Sequence, residues 1–329
     1  MDPGWLIFVV VAFALIFDFT NGWNDSANAI ATVVSTRVLS PLQAVLFAAA
    51  LNIAGAFFST AVAKTIGKGI VAPELITQTV VCAALVAGIS WNTVTTLMGL
   101  PISASHALIG GVMGAGIAHG GFTVLNTKTL KLIFKAMLIS PLFGFILGFL
   151  FMVPILRLFF RVTKGTSNRL FKKLQLVSAG VMAFSHGTSD AQKVMGVITL
   201  ALVSGGYLKT LEVPKWVILS SALVMGLGTA IGGWNVIQTL GARMIKIEPV
   251  HGFAAETTAS IILLFTAHAG IPVSTTHTIT GSILGVGATR RFSAVRWGVS
   301  KKILYAWIVT LPGTGAVSFL TYKLLAILI

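Results

Sequence analysis

The sequence predicts an all-α polytopic membrane protein. It is read as two inverted-topology repeats whose broken helices or re-entrant hairpins meet at a midplane site. Three observations predict this. Hydrophobic residues make up 56% of the 329-residue chain and charged residues 9%, with mean hydropathy +0.94; a soluble domain carries about a quarter charged residues. The apolar stretches lack the strict alternation that a transmembrane barrel requires. The polar motifs that interrupt them occur twice in the same order, which is the mark of an internal duplication.

Taken in order, the first apolar stretch covers residues 5–20. It has no basic region ahead of it and no small-residue cleavage site behind it, so it reads as a retained helix rather than a signal peptide. Further apolar stretches lie at 42–66, 75–100, 102–118 and 130–160, and then at 175–203, 214–240, 250–269, 272–288 and 303–329. A membrane span takes roughly 20 residues, so about ten helical segments are expected, some too short or too broken to cross. Residues 1–160 form the first repeat, 161–174 a basic linker and 175–329 the second repeat. Cys82 is the single cysteine, which leaves no disulfide framework and no cysteine-based metal site.

The repeats are read from quoted residues. "GWND" at 22–25 is echoed by "GTSD" at 187–190, and each follows an aromatic, Phe19 or Phe184. Asp25 pairs with Asp190 at an offset of 165. "GLPISASHALIGGVMGAG" at 99–116 matches "GIPVSTTHTITGSILGVG" at 270–287 at an offset of 171, and a weaker link joins "KTIGKGI" at 64–70 to "QTLGARM" at 238–244. A repeat with an odd number of crossings inverts its second copy, the arrangement of many secondary transporters.

The formal net charge of +15 has no soluble domain on which to form a nucleic-acid face. Membrane topology accounts for it better. Two clusters dominate, Arg157, Arg161, Lys164, Arg169, Lys172 and Lys173, and Arg290, Arg291, Arg296, Lys301 and Lys302. Both are expected on the cytoplasmic side. With both termini outside, Arg37, Arg243 and Lys246 join them, and Lys64, Lys68, Lys128, Lys131, Lys135, Lys209, Lys215 and Lys323 face outward.

In each "GxPxS" segment Gly and Pro end one helix, and Pro suits the first turn of the next. Ser103, Ala104 and Ser105, and Ser274, Thr275 and Thr276, are therefore expected at the N-termini of two half-helices. Such ends expose N–H groups and partial positive charge, a ready anion site, to which the hydroxyls add donors. Helix capping is the competing reading for one copy, and symmetry favours a dianion cradle for two.

Asn24, Asp25 and Asn28, with Ser189, Asp190 and Gln192 in the second copy, cluster the carboxylate, amide and hydroxyl oxygens that a hard cation such as Na⁺ takes. Gly22 and Gly187 are expected to let the helix unwind and free backbone carbonyls. A polar helix–helix contact is the alternative. Asp25 and Asp190 also bear on the anion. HPO₄²⁻ has a proton to donate to a buried carboxylate and sulfate has none, so phosphate is favoured over sulfate. Asn92, Thr95 and Thr96 could lend oxygens to a cation. Glu256 fits a cation ligand or proton relay, or a carboxylate satisfied by snorkelling or a hydrogen bond. His106 and His277 either back the hydroxyls or only pack.

At these residues the chain resembles the inorganic phosphate transporter family of sodium- or proton-coupled symporters, whose hallmark is Gly-x-Asn-Asp-x-x-Asn once per half. Gly22, Asn24, Asp25 and Asn28 keep it; the second copy departs with Ser189. The "PIS-x-SH" and "PVSTTH" segments look like the family's too. The resemblance implies a functional glutamate at Glu256, and Asn52 stands where some members carry another acid. It implies a homodimer of prokaryotic type in the cell membrane, with phosphate as substrate and no cofactor beyond a coupling ion, read as Na⁺, with H⁺-coupled or metal-phosphate symport as the alternative. An anion channel and an intramembrane enzyme are the other classes. The paired acids argue against a pore, and Ser105 beside His106 is not triad geometry.

Overall fold

The computed structural model describes residues 4–67 and 76–328. Lys68 and the end of "KTIGKGI" lie outside the described residues. Within them the chain is helical, with short turns and no strand. The first half runs α1 (Leu6–Ser35), α2 (Pro41–Ala56), α3 (Ala61–Gly67), α4 (Gln78–Met98), α5 (Ala104–Gly120) and α6 (Thr127–Leu158). The second runs α7 (Lys164–Ser204), α8 (Lys215–Ile231), α9 (Trp234–Gln238), α10 (Pro249–His268), α11 (Thr275–Ala288) and α12 (Trp297–Leu328). The segments read as 42–66 and 214–240 are each two helices. α8 and the short helix after it bend by 64°. The basic stretch 161–174 is, for most of its length, the first turns of α7.

Among the described residues five helices are long and apolar enough to cross a membrane, α1, α4, α6, α10 and α12, or six with the bent pair counted as one span. α6 and α12 form an outer layer. Leu138, Leu150, Ile308 and Leu320 stay exposed on them, as residues facing hydrocarbon do. α1 and α7 run through the middle, and from Asn24 to Val33 and from Ser185 to Leu202 they are buried on every side. Tertiary pairing follows the duplication. α5 lies on α12 and α11 on α6, while α1 lies on α8 and α2 on α7. Each half thus covers the polar centre of the other.

Glycines set these crossings, and not by the unwinding expected of them. α1 and α7 do not unwind at Gly22 and Gly187; both helices continue through the motifs. A Cβ on Gly22 would meet the Met225 carbonyl oxygen at 2.3 Å, and one on Gly187 the Asn52 carbonyl oxygen at 2.1 Å. Both glycines serve close backbone approach between helices. Their motif carbonyls stay in the helical ladder because packing, rather than a break, is what lacks a side chain. Conformational freedom matters instead at Gly99 (φ +70°) and Gly270 (φ +68°). These close α4 and α10 in the left-handed region and turn the chain into α5 and α11.

Candidate functional site

Ser103 and Ser274 are the N-caps of α5 and α11, and each hydroxyl accepts from the N–H three residues on, His106 or His277, at 3.2 Å. Both serines therefore first serve their own helix. The first-turn N–H groups of Ala104 and Ser105, and of Thr275 and Thr276, have no intrahelical acceptor. The two tips converge. The rings of His106 and His277 lie 4.5 Å apart by centroid, and His277 stacks on Trp307 at 3.7 Å. Trp307 in turn donates to the Pro101 carbonyl at 2.9 Å. The histidines pack behind the tips and against each other.

The motif residues stand beside the second tip. Thr276 donates to Asp25 Oδ1 at 3.1 Å and Thr275 to Asp190 Oδ2 at 2.9 Å. Asn28 donates to Thr276 at 2.9 Å and reaches Thr275 at 3.4 Å. Asn24 donates to Thr96 at 2.7 Å, and Asn92 donates to Thr20 at 3.4 Å. The side-chain oxygens of Asn21, Asn24, Asn28, Asn92 and Ser189 are buried without a hydrogen-bond partner. Such groups are rare in folded proteins. A carboxylate oxygen from each of Asp25 and Asp190 and a ring nitrogen of His186 lie within 4.8 Å of one another, a geometry that could hold a metal ion. Ser103, Thr275, Thr276, Asp25 and Asp190 are all buried and Ser105 is half-buried, so most of the cradle is shut off from bulk water.

Two expected cation ligands lie elsewhere. The Gln192 amide oxygen accepts from the Val62 N–H at 2.7 Å, so it caps α3; the place of Asn28 in the second copy belongs to Lys193, because α7 continues as a regular helix. Glu256 accepts from Thr32, Gln175 and Ser178, a separate knot between α1, α7 and α10. Thr32 lies two turns beyond Asp25 on α1, roughly 10 Å along the helix. Asn52 donates to Thr229 at 2.8 Å and lies 3.1 Å from His186 Nδ1.

Sequence reasoning gave no role to Lys193 or Asp18 and left His186, beside the second motif, open between backing the site and packing. Lys193 donates to Asp190 Oδ1 and to the Val273 carbonyl at 3.0 Å. His186 Nε2 lies 3.3 Å from Asp190 Oδ2. Asp18 is wholly buried, and neither of its oxygens takes a well-formed hydrogen bond, though Ser221 and Asn21 lie beside it. Its signal was a lone acid inside the run "ALIFDFT", easily taken as hydrocarbon.

A phosphate transporter family model matches residues 21–318. The chain belongs to the phosphate transporter family. As a family member it is 47% identical to the "Probable low-affinity inorganic phosphate transporter" of Rhizobium meliloti (strain 1021), over 96% of each chain. It is 44% identical to the corresponding protein of Bacillus subtilis (strain 168), over 97% of each. Among solved structures it superposes on "the sodium-dependent phosphate transporter" with a TM-score of 0.88 and 26% identity, covering 98% of this chain and 100% of that one. The all-α fold with membrane-capable helices matches that phosphate transporter architecture. These relatives are named as transporters.

Proposed function

We propose that this phosphate transporter family member is a secondary symporter that imports inorganic phosphate with Na⁺ by alternating access. The carrying observation is that the first-turn N–H groups of two half-helices meet beside two buried carboxylates and a set of unpartnered amide oxygens. Phosphate takes the tips at Ser103, Ala104, Ser105, Ser274, Thr275 and Thr276, and gives its proton as a hydrogen bond to Asp25 or Asp190. Na⁺ is taken by Asn24, Asp25, Asn28 and Asn92. Glu256 acts at a distance, through its own knot.

Energetics support a coupling cation. Moving a dianion inward against about 100 mV, negative inside, costs roughly 4.6 kcal/mol at about 2.3 kcal/mol per charge. Two Na⁺ offset that term. A cradle mostly shut off from water needs a step that opens it to each side in turn, and paired helices from inverted repeats rocking against one another supply one. The repeats 1–160 and 175–329 are the moving units in this reading. It also places both termini outside, the protein in the cell membrane, and two copies in a homodimer.

Proton coupling is the second reading. It is favoured by the closeness of Asp25 and Asp190, since a proton can sit between two carboxylates as a cation can. Labelled phosphate uptake into proteoliposomes, under imposed Na⁺ or H⁺ gradients, separates the two for the wild type and Asp25→Asn. Na⁺-driven uptake lost in Asp25→Asn supports the proposal. H⁺-driven uptake alone changes the coupling ion, and flux indifferent to both gradients and to Asp25 rejects symport.

A further inference from the structure

The duplication puts unlike residues at like positions. At the offset of 165 that relates Asp25 to Asp190, Asn21 corresponds to His186, Asn24 to Ser189 and Asn28 to Lys193. In the first copy the amide oxygens of Asn21, Asn24 and Asn28 are buried and unpartnered. Leaving such acceptors unfilled is costly, and a hard cation with oxygen ligands is the group that fills them. At the corresponding places of the second copy, Ser189 Oγ is the one oxygen left over. Two amides have given way to nitrogen groups that already face the acid.

The two aspartates differ accordingly. Asp190 Oδ1 accepts from the Lys193 ammonium, and Asp190 Oδ2 accepts from Thr275 at 2.9 Å with His186 Nε2 at 3.3 Å. Asp25 Oδ1 accepts from the neutral hydroxyl of Thr276 at 3.1 Å, and the Lys193 ammonium hydrogen-bonds Asp190 rather than Asp25. Lys193 is 3% exposed. A buried ammonium persists only when it is paired and hydrogen-bonded, and Asp190 and the Val273 carbonyl satisfy that need. Lysine suits the role because its ammonium is a compact point charge with no acceptor of its own.

We propose that Lys193 is the resident cation of the second motif. Its ammonium, held by the chain, stands where the first motif recruits a mobile cation. Asp190 is then neutralised in every step of the cycle, and Asp25 alone of the two aspartates takes an ion from solution. The transport consequence rests on the symporter reading above: each phosphate travels with one mobile cation fewer than two open motifs would require. The resident charge stays on the protein and contributes nothing to the driving force.

The test counts ions at equilibrium, so that it stands apart from uptake. Binding of radiolabelled Na⁺ to the purified full chain is measured at saturating phosphate for the wild type, Lys193→Asn and Lys193→Ala. Lys193→Asn installs the first-motif residue and is expected to bind one more Na⁺ per protomer. In Lys193→Ala, added methylammonium is expected to displace that extra ion, with no such effect on the wild type. An unchanged Na⁺ count in monodisperse Lys193→Asn overturns the assignment. Should that variant fail to fold, the wild-type background still decides: Asp25→Asn is expected to lower the count by one and Asp190→Asn to leave it unchanged. A loss in both overturns the assignment. Cation-independent uptake rejects the symport reading, and the ion count is unaffected by that result.

Discussion

The Thr276 hydroxyl donates to Asp25 Oδ1 at 3.1 Å, tying the tip of the second hairpin to the motif of the first half. The contact spans 251 positions of sequence. One bond thus joins a hydroxyl expected to hold the anion to a carboxylate expected to hold the cation. Thr276→Val removes the donor and leaves a buried acceptor unmet, a cost of about 1–3 kcal/mol. Phosphate affinity is expected to fall by roughly 5- to 150-fold, and Thr276→Ser to keep most of it. Phosphate titration by calorimetry checks both, and an unchanged affinity in Thr276→Val would remove Thr276 from the cradle.

Glu256 accepts three side-chain hydrogen bonds, from Thr32, Gln175 and Ser178, away from the hairpin tips. Hydrogen bonds to a charged group are worth about 1.5–3 kcal/mol. Glu256→Gln keeps the shape and loses the charge. Concentrative uptake is expected to fall roughly 10- to 100-fold while phosphate binding holds, since no tip residue touches Glu256. Parallel uptake and binding assays check this, and equal losses in both would mean the knot merely supports the cradle.

The crossings of α1 with α8 and of α7 with α2 have no room for a methyl group. A Cβ at Gly22 would stand 2.3 Å from a backbone oxygen, and one at Gly187 2.1 Å from another. Gly22→Ala and Gly187→Ala are each expected to destabilise the protein by about 1–3 kcal/mol. Thermal melting in detergent reads the loss. Melting temperatures equal to wild type would show that the helices separate freely there.

Asp18 is a buried carboxylate without a well-formed hydrogen bond. Asp18→Asn removes the charge at constant shape and is expected to raise stability by about 1–3 kcal/mol. Groups that cost stability are commonly kept for function, so phosphate uptake is expected to drop in the same variant. Melting and uptake measured together check it; a stabilised variant with full uptake would make Asp18 dispensable.

Sulfate offers the cradle two charges and no proton. Facing Asp25, it leaves a buried acceptor unmet, worth about 1–3 kcal/mol. Sulfate is therefore expected to compete with labelled phosphate at least roughly 5-fold more weakly than unlabelled phosphate does. Equal competition would show that no carboxylate meets the substrate proton.

The class, the duplication and the turns that open the two tips were legible in the order of residues. Hydropathy along a chain reports which segments leave water. Gly99–Pro101 and Gly270–Pro272 carry their turn chemistry locally, so the N-caps at Ser103 and Ser274 were readable before any contact was known. Only the tertiary structure decided which side chains share a site. Gln192 turned to cap α3, Glu256 was taken up by Thr32, Gln175 and Ser178, and Lys193 closed on Asp190. The role of Gly22 was likewise set by α8, an element about two hundred residues away. The physical reason is that a side chain's direction follows from helical phase and from the partner helix that faces it. The offset of 165 already puts Lys193, not Gln192, where Asn28 stands, but no local pattern states which helix lies opposite.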